Sequence, residues 1–185
     1  IGRTFGYTVL NRLKSNIIAT GYDGRLTSPD LHQALCEGLK DSGAKVINIG
    51  MGPTPMTYFA HYHLKVDAVI MVTGSHNPSE YNGFKMVLNK HSFYAHDILS
   101  LQKLIDQKEL ESIEGQIIHK DIKENYVDRL LKNINLNKKI KIAWDVGNGA
   151  MGAVIKEVIK NLNNSENILI NDKVDGNFPN HHPDP

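Results

Sequence analysis

The 185-residue sequence predicts an α/β fold: a three-layer α/β/α sandwich with a mixed, mainly parallel sheet, repeated in a second, partial unit. Three observations predict it. Stretches with apolar residues three and four apart alternate with short continuous apolar runs, the pattern of helices crossing between buried strands. The joints between them carry glycine, proline and small polar residues, which stop one element and start the next. The alternation then begins again after Glu111 to Lys120, a stretch with Gly115 that has the make-up of a linker. The expected division is therefore 1–118 and 119–185.

Ile1, Phe5, Val9 and Leu13, four apart, predict a first helix from Ile1 to Leu13. Asn16 to Thr20 is a short strand ended by Gly21, and Asp23-Gly24-Arg25 is a loop at its end. Asp23 and Arg25 are expected to form an ion pair that fixes the turn. Ser28-Pro29-Asp30 starts a helix, with Ser28 as N-cap and Asp30 near the positive end of the helix dipole. Leu31, Leu35 and Leu39 are its buried stripe and Gly43 its stop. Lys45 to Ile49 is the next strand. A helix capped at Thr54 follows, with Pro55 at its first position. His61 and His63, two apart, do not share a helix face and are expected at the surface, not on a metal.

Val66 to Val72 is an apolar run broken only by Asp67, expected as a buried strand. It breaks abruptly into Thr73-Gly74-Ser75-His76-Asn77-Pro78. Gly74 allows backbone conformations closed to other residues, Pro78 donates no ladder hydrogen bond, and Asn77 before it is pushed extended. A hydroxyl, an imidazole and a carboxamide therefore stand on a stiff loop at a strand's carboxyl end, where open α/β sheets bind ligands. Lys85 follows at the head of Phe84 to Asn89, a run in which it faces away from Phe84, Met86 and Leu88. Asn82-Gly83 is a tight-turn signal that brings this run back antiparallel. A hydrolase is disfavoured. The nucleophile elbow needs Gly-x-Ser-x-Gly, and Pro78 and Asn77 stand where its second glycine and helix start belong.

A helix from His96 to Glu109, with Ile98, Leu101 and Ile105 inward, closes the first unit. In the second, Tyr126, Leu130 and Ile134 mark a helix and Ile140 to Trp144 a strand. Asp145-Val146-Gly147-Asn148-Gly149 then opens a helix through Ile159, and Ile168 to Ile170 is a last strand. The glycine loop looks superficially like a phosphate cradle. It lacks the full Gly-x-Gly-x-x-Gly pattern and has an acidic mouth, so a tight strand-to-helix connection is the better reading. His181, His182 and Asp184 stand among prolines and read as a shaped loop more readily than as metal ligands.

Composition excludes several classes. Hydrophobic content of 41%, charged content of 22% and a formal net charge of +1 describe an ordinary globular chain with no field for nucleic acid or an anionic membrane. No apolar stretch reaches membrane-spanning length. The single cysteine, Cys36, excludes an internal disulfide and reads as a buried thiol in a cytoplasmic protein.

Thr73-Gly74-Ser75-His76-Asn77-Pro78, followed by Tyr81-Asn82-Gly83-Phe84-Lys85, resembles the phosphoserine loop of the α-D-phosphohexomutases, in the form of the bacterial phosphomannomutase/phosphoglucomutase branch. Gly21-Tyr22-Asp23-Gly24-Arg25 with Ser28-Pro29, Pro53-Thr54-Pro55, Asp145 to Gly149, and Asp175 to Pro185 extend the match along nearly the whole chain, in family order. It departs at Tyr22, where the family usually has arginine.

The resemblance implies a mutase that interconverts hexose 1- and 6-phosphates of mannose or glucose, with phosphorylated Ser75 as donor and hexose 1,6-bisphosphate as intermediate and activator. Ser75, Lys85 and His76 are the implied catalytic residues. Lys85 would move a proton or clamp charge, and His76 would shape the loop by hydrogen bonding. Thr73, Gly74, Asn77 and Arg25 would form the phosphate loop, Arg25 holding it from the side. Mg²⁺ would contact a phosphate oxygen on Ser75 and take its other ligands from an Asp-rich loop that this sequence does not contain. By the same comparison the chain is expected to be a fragment, inactive alone and a monomer or weak dimer at full length. The alternatives are a phosphoglucosamine mutase, whose branch usually has Ala at Gly74, and a non-catalytic sugar-phosphate-binding module.

Overall fold

The computed structural model describes residues 1–106 and 110–183. In the first unit α1 is Gly2–Leu13, β1 Ile17–Tyr22, α2 Ser28–Lys40, β2 Lys45–Met51, α3 Thr54–His63, β3 Ala68–Val72, β4 Phe84–Leu88, β5 His91–Phe93, α4 His96–Asp106 and β6 Gln116–His119. In the second, α5 is Lys123–Leu131, β7 Ile140–Asp145, α6 Ile155–Lys160 and β8 Ser165–Ile170, with a 3-10 turn at Ala150–Ala153 before α6.

Six strands form one mixed sheet in the order β5-β4-β3-β1-β2-β6. β1 runs parallel to β2 and β3, β2 runs parallel to β6, and β3, β4 and β5 pair antiparallel. Side chains alternate across the sheet, and two cores follow from that period of two. Ile18, Val46, Ala68, Ile70, Met86 and Leu88 face α1, α2 and α4, where Phe5, Leu39 and Leu101 complete one cluster. Ala19, Ile47, Val69 and Val87 face α3, and their cluster continues through Tyr126, Val127, Ile155 and Val158. The second unit is thus packed onto the α3 face of the first. Its own sheet is the parallel pair β7 and β8, in register from Ile140 opposite Ser165.

The crossovers fix where a site can form. β1 reaches β2 through α2 on one face, and β2 reaches β3 through α3 on the other. The chain order therefore reverses around β1, the place in an open sheet where a crevice opens outside the carboxyl ends of the strands. The loops after β1 and β3 are neighbours there, joined by the Asp23 N–H donating to the Val72 carbonyl at 3.0 Å.

Several expectations are corrected. The expected linker, 111–120, contains β6, which pairs with β2 from Lys45 opposite Gln116 to Asn48 opposite His119. Alternation in Gln-Ile-Ile-His was too short to register as a strand. The N-cap position of α2 is Thr27, not Ser28, which is fully buried with its hydroxyl donating to Asp23 Oδ1. α3 is likewise capped at Pro53, one residue before Thr54. β1 continues through Gly21 to Tyr22, paired with Met71 and Val72 of β3, and glycine at 21 leaves room for Thr57 of α3. In α4 only Leu101 is buried, and Ile98 and Ile105 are exposed. The rest of the helix expected to reach Glu109 lies outside the described residues. His61 is 3% exposed, not at the surface, and its burial and nearby Lys90 hold its pKa below the usual 6.5.

Candidate active site

The Thr73–Gly83 loop closes the β3–β4 hairpin, in which Val72 pairs with Phe84 and Met71 with Lys85. Asn82-Gly83 is therefore not a two-residue turn. The Asn82 amide instead donates to the Thr27 and Ser28 hydroxyls, pinning the loop to the start of α2.

Ser75 stands at the apex in the left-handed region, φ 55. That conformation costs a non-glycine residue on the order of 1 kcal/mol and persists only where surroundings enforce it. Here the Ser75 N–H donates to Thr73 Oγ1 at 2.9 Å. The Asn77 N–H and side-chain amide both donate to the Gly74 carbonyl, at 3.1 and 2.9 Å. The positive φ belongs to Ser75 and not to Gly74. Gly74 serves close approach: a Cβ on it would lie 2.5 Å from Arg25 Cζ.

Arg25 is 1% exposed, and its guanidinium lies under the loop. Nη1 donates to the carbonyls of Pro78 at 2.5 Å and Tyr81 at 3.0 Å, and Nη2 to those of Ser75 at 2.9 Å and Asn77 at 2.7 Å. Nε lies 3.3 Å from Asp23 Oδ2 without hydrogen-bond geometry, so the ion pair expected within the Asp23–Arg25 turn is present beside the contacts to the loop. Two-residue spacing gave no sign that the same guanidinium would reach residues fifty positions away.

Lys85, at the start of β4, sends Nζ to Ser75 Oγ, donating at 3.0 Å. It occupies the α3 face of the sheet because the larger apolar residues of β4 occupy the other. His76 is exposed beside Ser75, and the hydrogen bonds that shape the loop, a role expected of it, are made among the described residues by Thr73, Asn77 and Arg25. The expected site residues come together at one serine, Ser75: Lys85 reaches its hydroxyl, while Thr73, Gly74, Asn77 and Arg25 make or hold the backbone that carries it.

A cavity of about 470 Å³ opens over Ser75, walled by Lys85 and His76 on one side and by Asp145, Gly147, Phe178 and His181 of the second unit on the other. The Asp145–Gly149 loop does not cradle an anion. The Gly147 N–H donates to Asp145 Oδ1, that of Asn148 to Asn171, and that of Gly149 to Val146, so its amides are already used. The expected tight connection is what forms. His181 Nε2 lies 3.4 Å from Asp145 Oδ1. The His182 carbonyl and then Asp145 raise the His181 pKa above 6.5, while the Gly147 amide and then Asn171 hold the Asp145 carboxyl below its usual range. That the second unit would form a wall of this cavity had no signal in either segment alone.

Among the described residues no group of three or more His, Cys, Asp or Glu side chains converges as a metal site. The carboxylates at the cavity, Asp23 and Asp145, are engaged by Ser28 and Arg25 and by Gly147 and Asn171. These residues do not by themselves fit Mg²⁺.

The family model for phosphoglucomutase/phosphomannomutase α/β/α domain I matches residues 1–111, and that for domain II matches 124–185. The phosphomannomutase/phosphoglucomutase of Pseudomonas syringae is 40% identical over 185 residues, all of this chain and 39% of the relative. The phosphoglucomutase of Neisseria gonorrhoeae is 42% identical over 170 residues, 91% of this chain and 37% of the relative. A crystal structure of a phosphoglucomutase/phosphomannomutase family protein from Burkholderia thailandensis superposes with a TM-score of 0.90 at 39% identity, covering 98% of this chain and 41% of that one. The chain thus spans about two fifths of the length of these relatives. With both family models matching in order, and a shared fold at this identity, the chain belongs to the phosphoglucomutase/phosphomannomutase family.

Proposed function

We propose that the chain carries the phosphoryl-transfer residues of a hexose-phosphate mutase, with Ser75 as the phosphoryl carrier. The observation that carries this is the Lys85 ammonium donating to a serine hydroxyl held at the apex of a strained loop, 3.0 Å away and open to a shared cavity. Free serine is a weak nucleophile, so a mutase that stores its phosphoryl group on the serine beforehand avoids activating it in each cycle. Transfer to a hexose phosphate hydroxyl forms a phosphorus–oxygen bond to the sugar and breaks the one to Ser75 Oγ. The departing Oγ takes a proton, for which Lys85 is in place, while the attacking sugar hydroxyl releases its own to solvent. When the other phosphoryl group of the resulting 1,6-bisphosphate returns, Oγ gives that proton back to Lys85, the departing sugar oxygen takes one from solvent, and the enzyme is restored. A phosphoserine carries close to two negative charges, and the Lys85 side chain is in place beside them.

Relatives named phosphoglucomutase and phosphomannomutase support glucose and mannose phosphates as substrates. Hexose 1,6-bisphosphate as activator belongs to the same reading. So does Mg²⁺ as cofactor, but no step above runs through it, since the described residues do not fit it. The close approach of Arg25 to Gly74 disfavours the phosphoglucosamine alternative, whose branch usually has Ala there. A division near 118/119 is supported by family matches ending at 111 and resuming at 124, with β6 on the sheet of the first unit. The buried free thiol of Cys36 supports a cytoplasmic setting, and no described helix is long and apolar enough to cross a membrane. These 185 residues alone are expected to be inert as a mutase.

The experiment is Ser75→Ala in a protein of the relatives' length, assayed for conversion of glucose 1-phosphate with a trace of glucose 1,6-bisphosphate. Turnover is expected to fall at least about 1000-fold. Unchanged turnover would remove Ser75 as the carrier.

A further inference from the structure

Segment 171–180 of the second unit meets the Arg25 loop at unusually short range. A Cβ on Gly176 would lie 2.6 Å from Leu26 N, 2.7 Å from Gly24 O and 2.9 Å from Arg25 Cα, so backbone lies against backbone and only glycine fits. The segment is itself tied down. Asn148, 5% exposed, donates from its amide to the Lys173 carbonyl, accepts from the Asn180 amide, and accepts at its own carbonyl from the Asp175 N–H.

At the end of this braced turn Phe178 is held at φ 50, a left-handed conformation that is an outlier for a bulky residue. The Asp175 carbonyl fixes it there by accepting the Phe178 N–H at 3.0 Å. The result is a ring whose centroid lies 5.3 Å from Arg25 Cζ. The guanidinium edge of Arg25 is consumed by four loop carbonyls, so its face is what remains to be covered. Phe178 covers it on the side of the cavity that both units line. An uncovered face would admit water to compete for those carbonyls, whereas an aromatic ring attracts the cation and excludes water.

We propose that Phe178 is a positioning residue for the Ser75 loop, acting through Arg25, so that the seating of the second unit on the first sets the rigidity of the strained serine. The coupling stands whether or not Ser75 carries a phosphoryl group; only its catalytic meaning rests on that reading.

Amide hydrogen exchange on this chain tests it without any turnover assay. In Phe178→Leu the amides of Ser75, Asn77 and Tyr81 are expected to exchange roughly tenfold faster, the scale of losing one desolvated cation–π contact. Ile70 and Val72 in β3 should be unchanged, and Phe178→Tyr, which keeps the aromatic face, should restore the native rates. Unchanged loop exchange in Phe178→Leu overturns the proposal. If that variant does not fold, Phe178→Asn, which tolerates the left-handed backbone, takes its place. Exchange rising equally in the loop and in β3 would show a general packing role and also overturn it. In the unaltered chain the Arg25 side-chain protons should be displaced upfield by the ring, and their absence from that range is a third way for the idea to fail.

Discussion

Two glycine-bearing loops follow strands on opposite walls of the same cavity, Thr73–Gly83 after β3 and Val146–Gly149 after β7, and they spend their hydrogen bonds differently. In the first, one buried side chain from elsewhere, Arg25, satisfies the carbonyls, and the Ser75 hydroxyl is left facing Lys85 and the cavity. In the second, polar side chains of the loop and of the strand end before it are the fasteners. Asn148 joins Lys173 and Asn180, and Asp145 accepts from Gly147 and Asn171. The same position in the architecture thus yields a loop that presents chemistry and a loop that secures structure. What separates them is that the first loop, held by Arg25 together with Thr73 and Asn77, leaves one hydroxyl, that of Ser75, free of its own backbone.

The largest effect that this contrast predicts is at Arg25. Arg25→Ala removes four charge-assisted hydrogen bonds to one loop and leaves a void under Gly74. Hydrogen bonds to charged groups contribute about 1.5–3 kcal/mol each, though not additively, so a loss of about 3 kcal/mol or more in urea unfolding is expected. A loss under about 1 kcal/mol would mean that the loop holds itself, and the contrast would collapse.

Asn148→Ala comes next. It deletes two side-chain bonds at a buried position and is expected to cost about 2 kcal/mol. Exchange should quicken at the Asp175 amide, whose acceptor is the Asn148 main-chain carbonyl, because that carbonyl stays but the side-chain bonds bracing the segment around it are gone. A cost above that of Arg25→Ala would reverse the order of dependence between the two loops.

Ionisation sharpens the contrast further. The raised His181 pKa stabilises below 6.5 and is lost as pH rises through the folded value; the lowered Asp145 pKa acts above its ordinary 3.8 and is lost as pH falls. The pair therefore contributes between those limits. By NMR titration His181 should have a midpoint above 6.5, and Asp145→Asn should move it down without abolishing the elevation, since the His182 carbonyl is its larger cause. A midpoint that ignores Asp145→Asn would separate the two groups.

Much of the first unit was legible because helix and strand periods persist over its longer elements, and the Ser75 loop because glycine, proline and asparagine mark an abrupt break. β5 and β6 were not, since three or four residues carry too little periodicity to outweigh linker-like surroundings. The reach of Arg25 was hidden for another reason. Its partners are backbone carbonyls, and a carbonyl leaves no trace in residue identity. The contact of Phe178 with Arg25 joins residues far apart in the chain through a left-handed turn that phenylalanine does not ordinarily signal.

The smallest effect belongs to His76, which the resemblance places among the catalytic residues as a hydrogen-bonding shaper of the loop. It is exposed at the same apex as Ser75, yet the loop's shape is accounted for without it: Thr73, Asn77 and Arg25 supply the bonds, and the strain sits at Ser75. A side chain that holds nothing in place contributes little to folding, so His76→Ala should change stability by less than about 0.5 kcal/mol. Exchange at the Ser75 and Asn77 amides should stay at native rates. If this loop presents side chains where the other consumes them, any loss in His76→Ala should appear in the phosphoryl transfer proposed for a protein of the relatives' length and not in unfolding. The reverse result, a destabilised loop with unaltered transfer, would place His76 among the fasteners and make the two loops alike.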